Sequence, residues 1–227
     1  MKRATLILVA LGLCSGGVGQ ARGEFITFLF NTGVDSTGTP LSDGTVGDPH
    51  YLLTSVPLGS TTDTLIRTAA GFPINVYLGD DSKSAWIGPN NDYSFDSPTG
   101  LYDYRTTFDL SGLVPSTASI LGQWAVDNEG IDILINGAST GNTIGTVGDP
   151  LGVSFNTWTS FDITGGFVEG VNTLDFLVYN DFGPTALRVE MTGTASTVPE
   201  PDTLTLCCSA IFGMAGFGWW RRKLASA

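Results

Sequence analysis

The chain has 227 residues, with 22 Asp and Glu against ten Lys and Arg, one histidine and three cysteines. Twenty of the acids but only four of the bases fall between residues 24 and 197, so that interval carries about −16 and is not built to grip nucleic acid or anionic lipid through phosphate contacts. Cys14, Cys207 and Cys208 all lie outside it, which excludes a disulfide, a thiolate metal site and a cysteine nucleophile within it.

Lys2 and Arg3 precede an apolar stretch from Ala4 to Leu13, and the small residues Ser15 to Gly19 follow. That is the build of a secretory signal peptide, expected to span residues 1–23, to engage the Sec translocon and to be cleaved near Ala21 to Gly23. Leu11-Gly12-Leu13-Cys14 fits a lipoprotein box poorly, because a Leu directly precedes the cysteine. Residues 24–197 are then one domain by length, large enough to be held by a hydrophobic core alone.

Within that interval the punctuation is Gly, Thr, Ser, Asp and Asn, and no stretch shows a convincing helical period. Strands are expected at Phe25 to Phe30, His50 to Val56, Tyr102 to Phe108, Ser119 to Val126, Ile131 to Asn136, Trp158 to Ile163, Leu174 to Val178 and Leu187 to Met191. The clearest are period two. Tyr102, Tyr104, Thr106 and Phe108 alternate with Asp103, Arg105 and Thr107, while Leu187, Val189 and Met191 alternate with Arg188 and Glu190. Eight or nine such strands between turn-rich loops read as an all-β fold, a single β-sandwich domain. The hexapeptide Gly-Thr-Val-Gly-Asp-Pro occurs at residues 44–49 and again at 145–150; it reads as two similar turns rather than a duplicated functional loop.

From Leu101 to Thr194 the order of features is specific: strand 104–110, the loop Asp127-Asn128-Glu129-Gly130, a strand ending in Asn136-Gly137, then Gly170-Val171-Asn172-Thr173-Leu174 leading into another strand. This succession resembles the galactose-binding-like jelly roll of carbohydrate-binding modules. The resemblance implies a jelly-roll sandwich, extracellular polysaccharide as partner and a structural calcium ion. The matching residues are themselves structural, since Gly and Asn suit positive-φ positions.

Chemistry has few places to sit. His50 is the sole histidine, so a Ser-His-Asp triad would have to use it, and no Gly-x-Ser-x-Gly elbow is present. No sequence feature singles out a carboxylate pair for glycoside cleavage. Asp127, Asn128 and Glu129 offer hard oxygen ligands for calcium, as do Asp80-Asp81 and Asn90-Asn91-Asp92, although none has EF-hand spacing. Trp86 lies beside the polar run Asn90-Asn91, where an exposed ring could stack on a sugar face; Tyr102 and Tyr104 are weaker aromatic choices, and core packing competes for all three.

The chain closes on Val198-Pro199-Glu200-Pro201, an uncharged run of 18 residues from Thr203 to Trp220, and Arg221-Arg222-Lys223. At 1.5 Å per residue the run reaches roughly 27 Å, enough to span a bilayer as a transmembrane helix, with Trp219 and Trp220 at the interface and the cations kept cytoplasmic. The three ordered parts resemble the PEP-CTERM sorting signal of exported Gram-negative proteins, here residues 198–227. Asp202 and the Cys207-Cys208 pair depart from the usual pattern. The resemblance implies cleavage near Pro-Glu-Pro by an exosortase-type membrane protease. The protein would be held briefly at the inner membrane, with its domain in the periplasm, and then released to the cell surface or beyond. The expectation is a non-catalytic, surface-sorted protein that binds polysaccharide or builds matrix. The alternative is a secreted glycan-active hydrolase working through a carboxylate pair.

Overall fold

A computed structural model describes residues 23–72, 76–89, 96–145 and 154–198. Among them run eleven strands: β1 Gly23–Phe25, β2 Leu52–Ser55, β3 Thr64–Arg67, β4 Trp86–Pro89, β5 Gly100–Asp109, β6 Leu113–Asp127, β7 Glu129–Ile135, β8 Ala138–Ser139, β9 Thr159–Ile163, β10 Val171–Asn180 and β11 Ala186–Thr197. One 3-10 turn covers Ala69–Gly71, and there is no α-helix among the described residues. Arg22–Thr197 forms one unit of the chain.

Two antiparallel sheets face each other. One runs β3-β4-β11-β6-β9, with β1 also joined to β11; the other runs β2-β5-β10-β7-β8. The alternation read from sequence sets their inner faces: Tyr102, Tyr104 and Phe108 from β5, Leu174, Phe176 and Val178 from β10, and Leu187 and Val189 from β11 fill the space between them. Ile133 and Ile135 join them, but Ile131 does not. Opposite it the register slips between Leu177 and Val178, so Ile131 is the extra residue of a bulge.

Four elements depart from expectation. The run from Phe25 to Phe30 keeps strand pairing only to Phe25; the chain then turns, with Phe28 at φ 64°. β3 and β4 carry no alternation, being covered on both faces, so period two could not mark them. Asp127 to Gly130 is not an open loop. It links the end of β6 in one sheet to the start of β7 in the other, and both Asp127 and Glu129 are buried by that crossing.

The residues behind the family resemblance do structural work. Asn136 and Gly137, at φ 52° and 79°, form the two-residue turn from β7 to β8. The buried Asn172 amide donates to the carbonyls of Val168 and Gly170, each at 2.8 Å, and its Oδ1 accepts from Val168 N and Asn136 Nδ2. Gly23 pairs with Ser196, so the two ends of this unit lie side by side. No helix among the described residues is long and apolar enough to cross a membrane; the expected leader at 1–23, apart from Gly23, and the expected span at 203–220 lie outside those residues.

Candidate functional site

On the outer face of the five-stranded sheet, at its β2 edge, a cleft of about 520 Å³ is lined by Phe28, Phe30, Ser36, Pro49, His50, Leu52, Arg105 and Thr107. Strand geometry supplies its floor: Leu52, Arg105 and Thr107 point away from the core that Leu53, Tyr104 and Phe108 enter, and Leu52 pairs directly with Arg105. The segment between β1 and β2 supplies its walls.

That segment is held by one buried carboxylate. Asp48 Oδ2 accepts from Gly33 N at 2.7 Å, and its Oδ1 accepts from His50 N at 2.7 Å and Tyr51 N at 3.0 Å. The first Gly-Thr-Val-Gly-Asp-Pro copy is thus a turn, with Gly44 and Gly47 at φ 77° and 84°, whose aspartate ties Gly33 to the residues that lead into β2. Burial pushes the Asp48 carboxyl above its ordinary range despite those bonds. Of the second copy only Gly145 is described. Tyr51 then donates to the Phe30 carbonyl at 2.9 Å, and the Phe30 and His50 rings stack 3.6 Å apart, 8° from parallel.

The cleft therefore sets a stacked aromatic pair beside two exposed apolar groups: Phe28 is 68% exposed and Leu52 66%. Arg105 closes one side. Its Nε donates to Asp175 Oδ1, and its Nη2 reaches Oδ2 at 3.2 Å. The hydrogen bond to Asp175 raises the guanidinium further above its ordinary value. Ser36 and His50 share the cleft, yet Asp48 bonds backbone amides rather than the imidazole, and His50 Nε2 has no hydrogen-bond partner among the described residues. Nothing orients a histidine base toward a hydroxyl here.

The three aromatic residues singled out from sequence are elsewhere, and all are buried. Tyr102 and Tyr104 face the core; Tyr102 donates to the Pro98 carbonyl at 2.8 Å. Trp86 sits on the outer face of the other sheet, but a roof covers it. Phe72 and Tyr77 stack at 3.7 Å and meet the indole edge-on at 5.7 and 5.5 Å, and the indole Nε1 donates to the Leu78 carbonyl at 3.2 Å. Arg188, fully buried, ties the loop that follows to the sheet through the Gly79 carbonyl at 2.7 Å and Ser84 Oγ at 2.8 Å. None of the three rings is open to a sugar, which corrects the expectation for Trp86, Tyr102 and Tyr104.

Asp127, Asn128 and Glu129 do not make an open set of oxygen ligands. Asp127 accepts from the Tyr77 hydroxyl and from Asn128 Nδ2, while Asn128 Oδ1 accepts from Asp181 N at 2.9 Å. Burial pushes the Asp127 carboxyl up to about 7. Among the described residues no group of three or more His, Cys, Asp and Glu is placed to hold a metal ion. Asn90, Asn91 and Asp92 lie outside the described residues.

No family model matches the chain, and no curated protein matches it. Among solved structures, a CBM35 from Paenibacillus barcinonensis is similar over 65% of this chain and 98% of its own, at 18% identity and a TM-score of 0.35. An overlap that loose transfers no residue's role.

The cleft at Phe28 was not legible in sequence. Its exposed ring sits in a run of apolar residues that reads as a strand, and only the turn at Phe28 brings it beside Leu52 and Arg105.

Proposed function

We propose that this is an exported, non-catalytic sandwich of the galactose-binding-like jelly-roll type, and that its Phe28 cleft binds extracellular polysaccharide. The observation that carries the reading is a solvent-facing aromatic ring at the mouth of a cleft whose floor holds Arg105 and Thr107. A ring and an apolar neighbour suit the C–H face of a sugar, and the guanidinium and hydroxyl suit its hydroxyls. Polar sugar contacts largely replace water contacts, so one site contributes modestly. Expected affinity is about 0.1 to 1 mM, some 4 to 5.5 kcal/mol, multiplied by many copies on a surface.

The test is retention of the full-length chain, in a sugar-free neutral detergent, on a panel of immobilised polysaccharides. Phe28→Ala should abolish retention. Phe182→Ala, which removes a ring 69% exposed outside the cleft, should leave it unchanged. Loss with Phe182→Ala and not with Phe28→Ala would place recognition elsewhere.

We propose further that the tail Val198-Pro199-Glu200-Pro201, the apolar run and Arg221-Arg222-Lys223 form a sorting signal cut by an exosortase-type protease. The order of the three parts supports it. In the native host the mature protein should end near Pro201 by intact mass, and Arg221→Ala with Arg222→Ala should leave the longer form in the membrane. A wild-type mature protein that retains its tail would rule this out.

A further inference from the structure

We propose that the cleft selects uncharged polysaccharide over carboxylated polymer, because the positive charge that lines it is already matched from within the sheet. The inference rests on the preceding reading, that this cleft holds polysaccharide.

Arg105 is the one Lys or Arg among the residues lining the cleft. Its guanidinium faces Asp175 through two donors, a bidentate pairing across neighbouring positions of β5 and β10. Asp175 alternates with the core residues Leu174 and Phe176, so it lies on the outer face, yet its side chain is only 1% exposed. The counter-charge is therefore fixed in place rather than free to swing away. Asp103 adds a second carboxylate. It is two residues along β5 on the same outer face, about 7 Å of strand away. Above its titration range the local sum is one positive charge against two negative.

A carboxylated polymer entering this cleft meets a site already negative, on a domain that is strongly acidic throughout. A neutral polymer meets no such barrier. Arginine has five N–H donors, and Asp175 occupies two, so three remain for hydroxyl oxygens. Thr107 adds a hydroxyl that both donates and accepts, and Phe28 and Leu52 offer apolar contact. The arrangement retains the directional donors of arginine while cancelling its attraction for anions.

The experiment compares immobilised neutral polysaccharides (dextran, mannan, xylan and galactan) each with its own carboxymethylated derivative, using the full-length chain at pH 8 in sugar-free neutral detergent. In about 20 mM salt a retained neutral polymer should bind at least tenfold tighter than its carboxymethyl partner. The gap should close toward parity in about 1 M salt, where repulsion is screened within about 3 Å. Asp175→Asn, which removes the counter-charge, should reduce the low-salt preference severalfold; the wild-type salt series decides the matter if that variant does not fold. Carboxymethyl polymer bound as tightly as neutral polymer at low salt, in a manner abolished by Phe28→Ala, overturns this inference and leaves the cleft standing. Retention of no polymer of either kind overturns the polysaccharide reading and this inference together.

Discussion

Phe28 combines two properties that core packing does not demand: its ring is open to solvent, and its backbone sits at φ 64°. For a bulky side chain the left-handed region carries a penalty of about 1–2 kcal/mol, and glycine escapes it. The conformation gains nothing from burying the ring, which points to a placement kept for what the ring can reach. Phe28→Gly should accordingly leave the unfolding free energy from urea titration unchanged or raise it by up to about 1 kcal/mol, while retention on polysaccharide disappears. The gain stays small because glycine also loses more freedom on folding. A fall of more than about 1 kcal/mol would show that the ring packs after all. Sequence could not expose this residue, since Phe25 to Phe30 carries strand-forming side chains and the reversal at Phe28 comes from the way Asp48 and Tyr51 pin the loop around it. The hexapeptide was a visible sign of a turn; the partners of its aspartate were not.

The same contrast runs through the elements. Strands that set apolar side chains inward and polar ones outward were legible by alternation, and β5, β10 and β11 fill the sandwich with the residues that alternation named, although Arg188 and Glu190 on the outward side of β11 are themselves buried. Where both sides of a strand are apolar as well as covered the signal vanishes, as in β4, whose four residues are all buried. Trp86 shows the consequence: its polar neighbours in sequence suggested exposure, but Phe72, Tyr77 and the Arg188-tethered loop after it form a second small core over the sheet. Trp86→Ala should therefore destabilise the fold by about 3–5 kcal/mol, the range for emptying a large buried aromatic site. At a temperature where the variant remains folded, its retention on polysaccharide should match wild type. An unchanged melting temperature would contradict the roofed position, and a selective loss of retention in a stable protein would return Trp86 to the binding site. The link from Asp127 to Glu129 misled for a related reason, because an acidic run usually marks an exposed loop and here it passes between two sheets.

For the whole molecule the buried acids set how stability responds to pH. Asp127 keeps its proton up to about 7 because burial disfavours the charged form. An aspartate in the unfolded chain releases its proton near pH 4. Between about pH 4 and 7 the folded domain thus holds a proton that the unfolded chain has lost, and stability falls as pH rises through that window. The limiting slope from one such group is about 1.4 kcal/mol per pH unit, and it vanishes once both states are ionised. Asp48 and Asp103, also raised by burial, act in the same direction. Asp35 and Asp109 act oppositely: hydrogen bonds from Thr37 and Ser111 hold their carboxyls low, so their contribution is present above the ordinary carboxylate range and lost as pH falls below it. The domain should then be most stable near pH 4 and weaken toward pH 7, read as urea midpoints across that range. The Asp127→Asn variant separates this cause from the general repulsion of an acidic chain, because the amide can still accept from Tyr77 but cannot ionise. It should flatten the decline between pH 4 and 7 while leaving any loss above pH 8 in place. A wild-type midpoint that climbs steadily from pH 4 to 7, or a variant with an unaltered slope, would mean that Asp127 is ionised in the folded domain and that its burial is offset by partners beyond Tyr77 and Asn128.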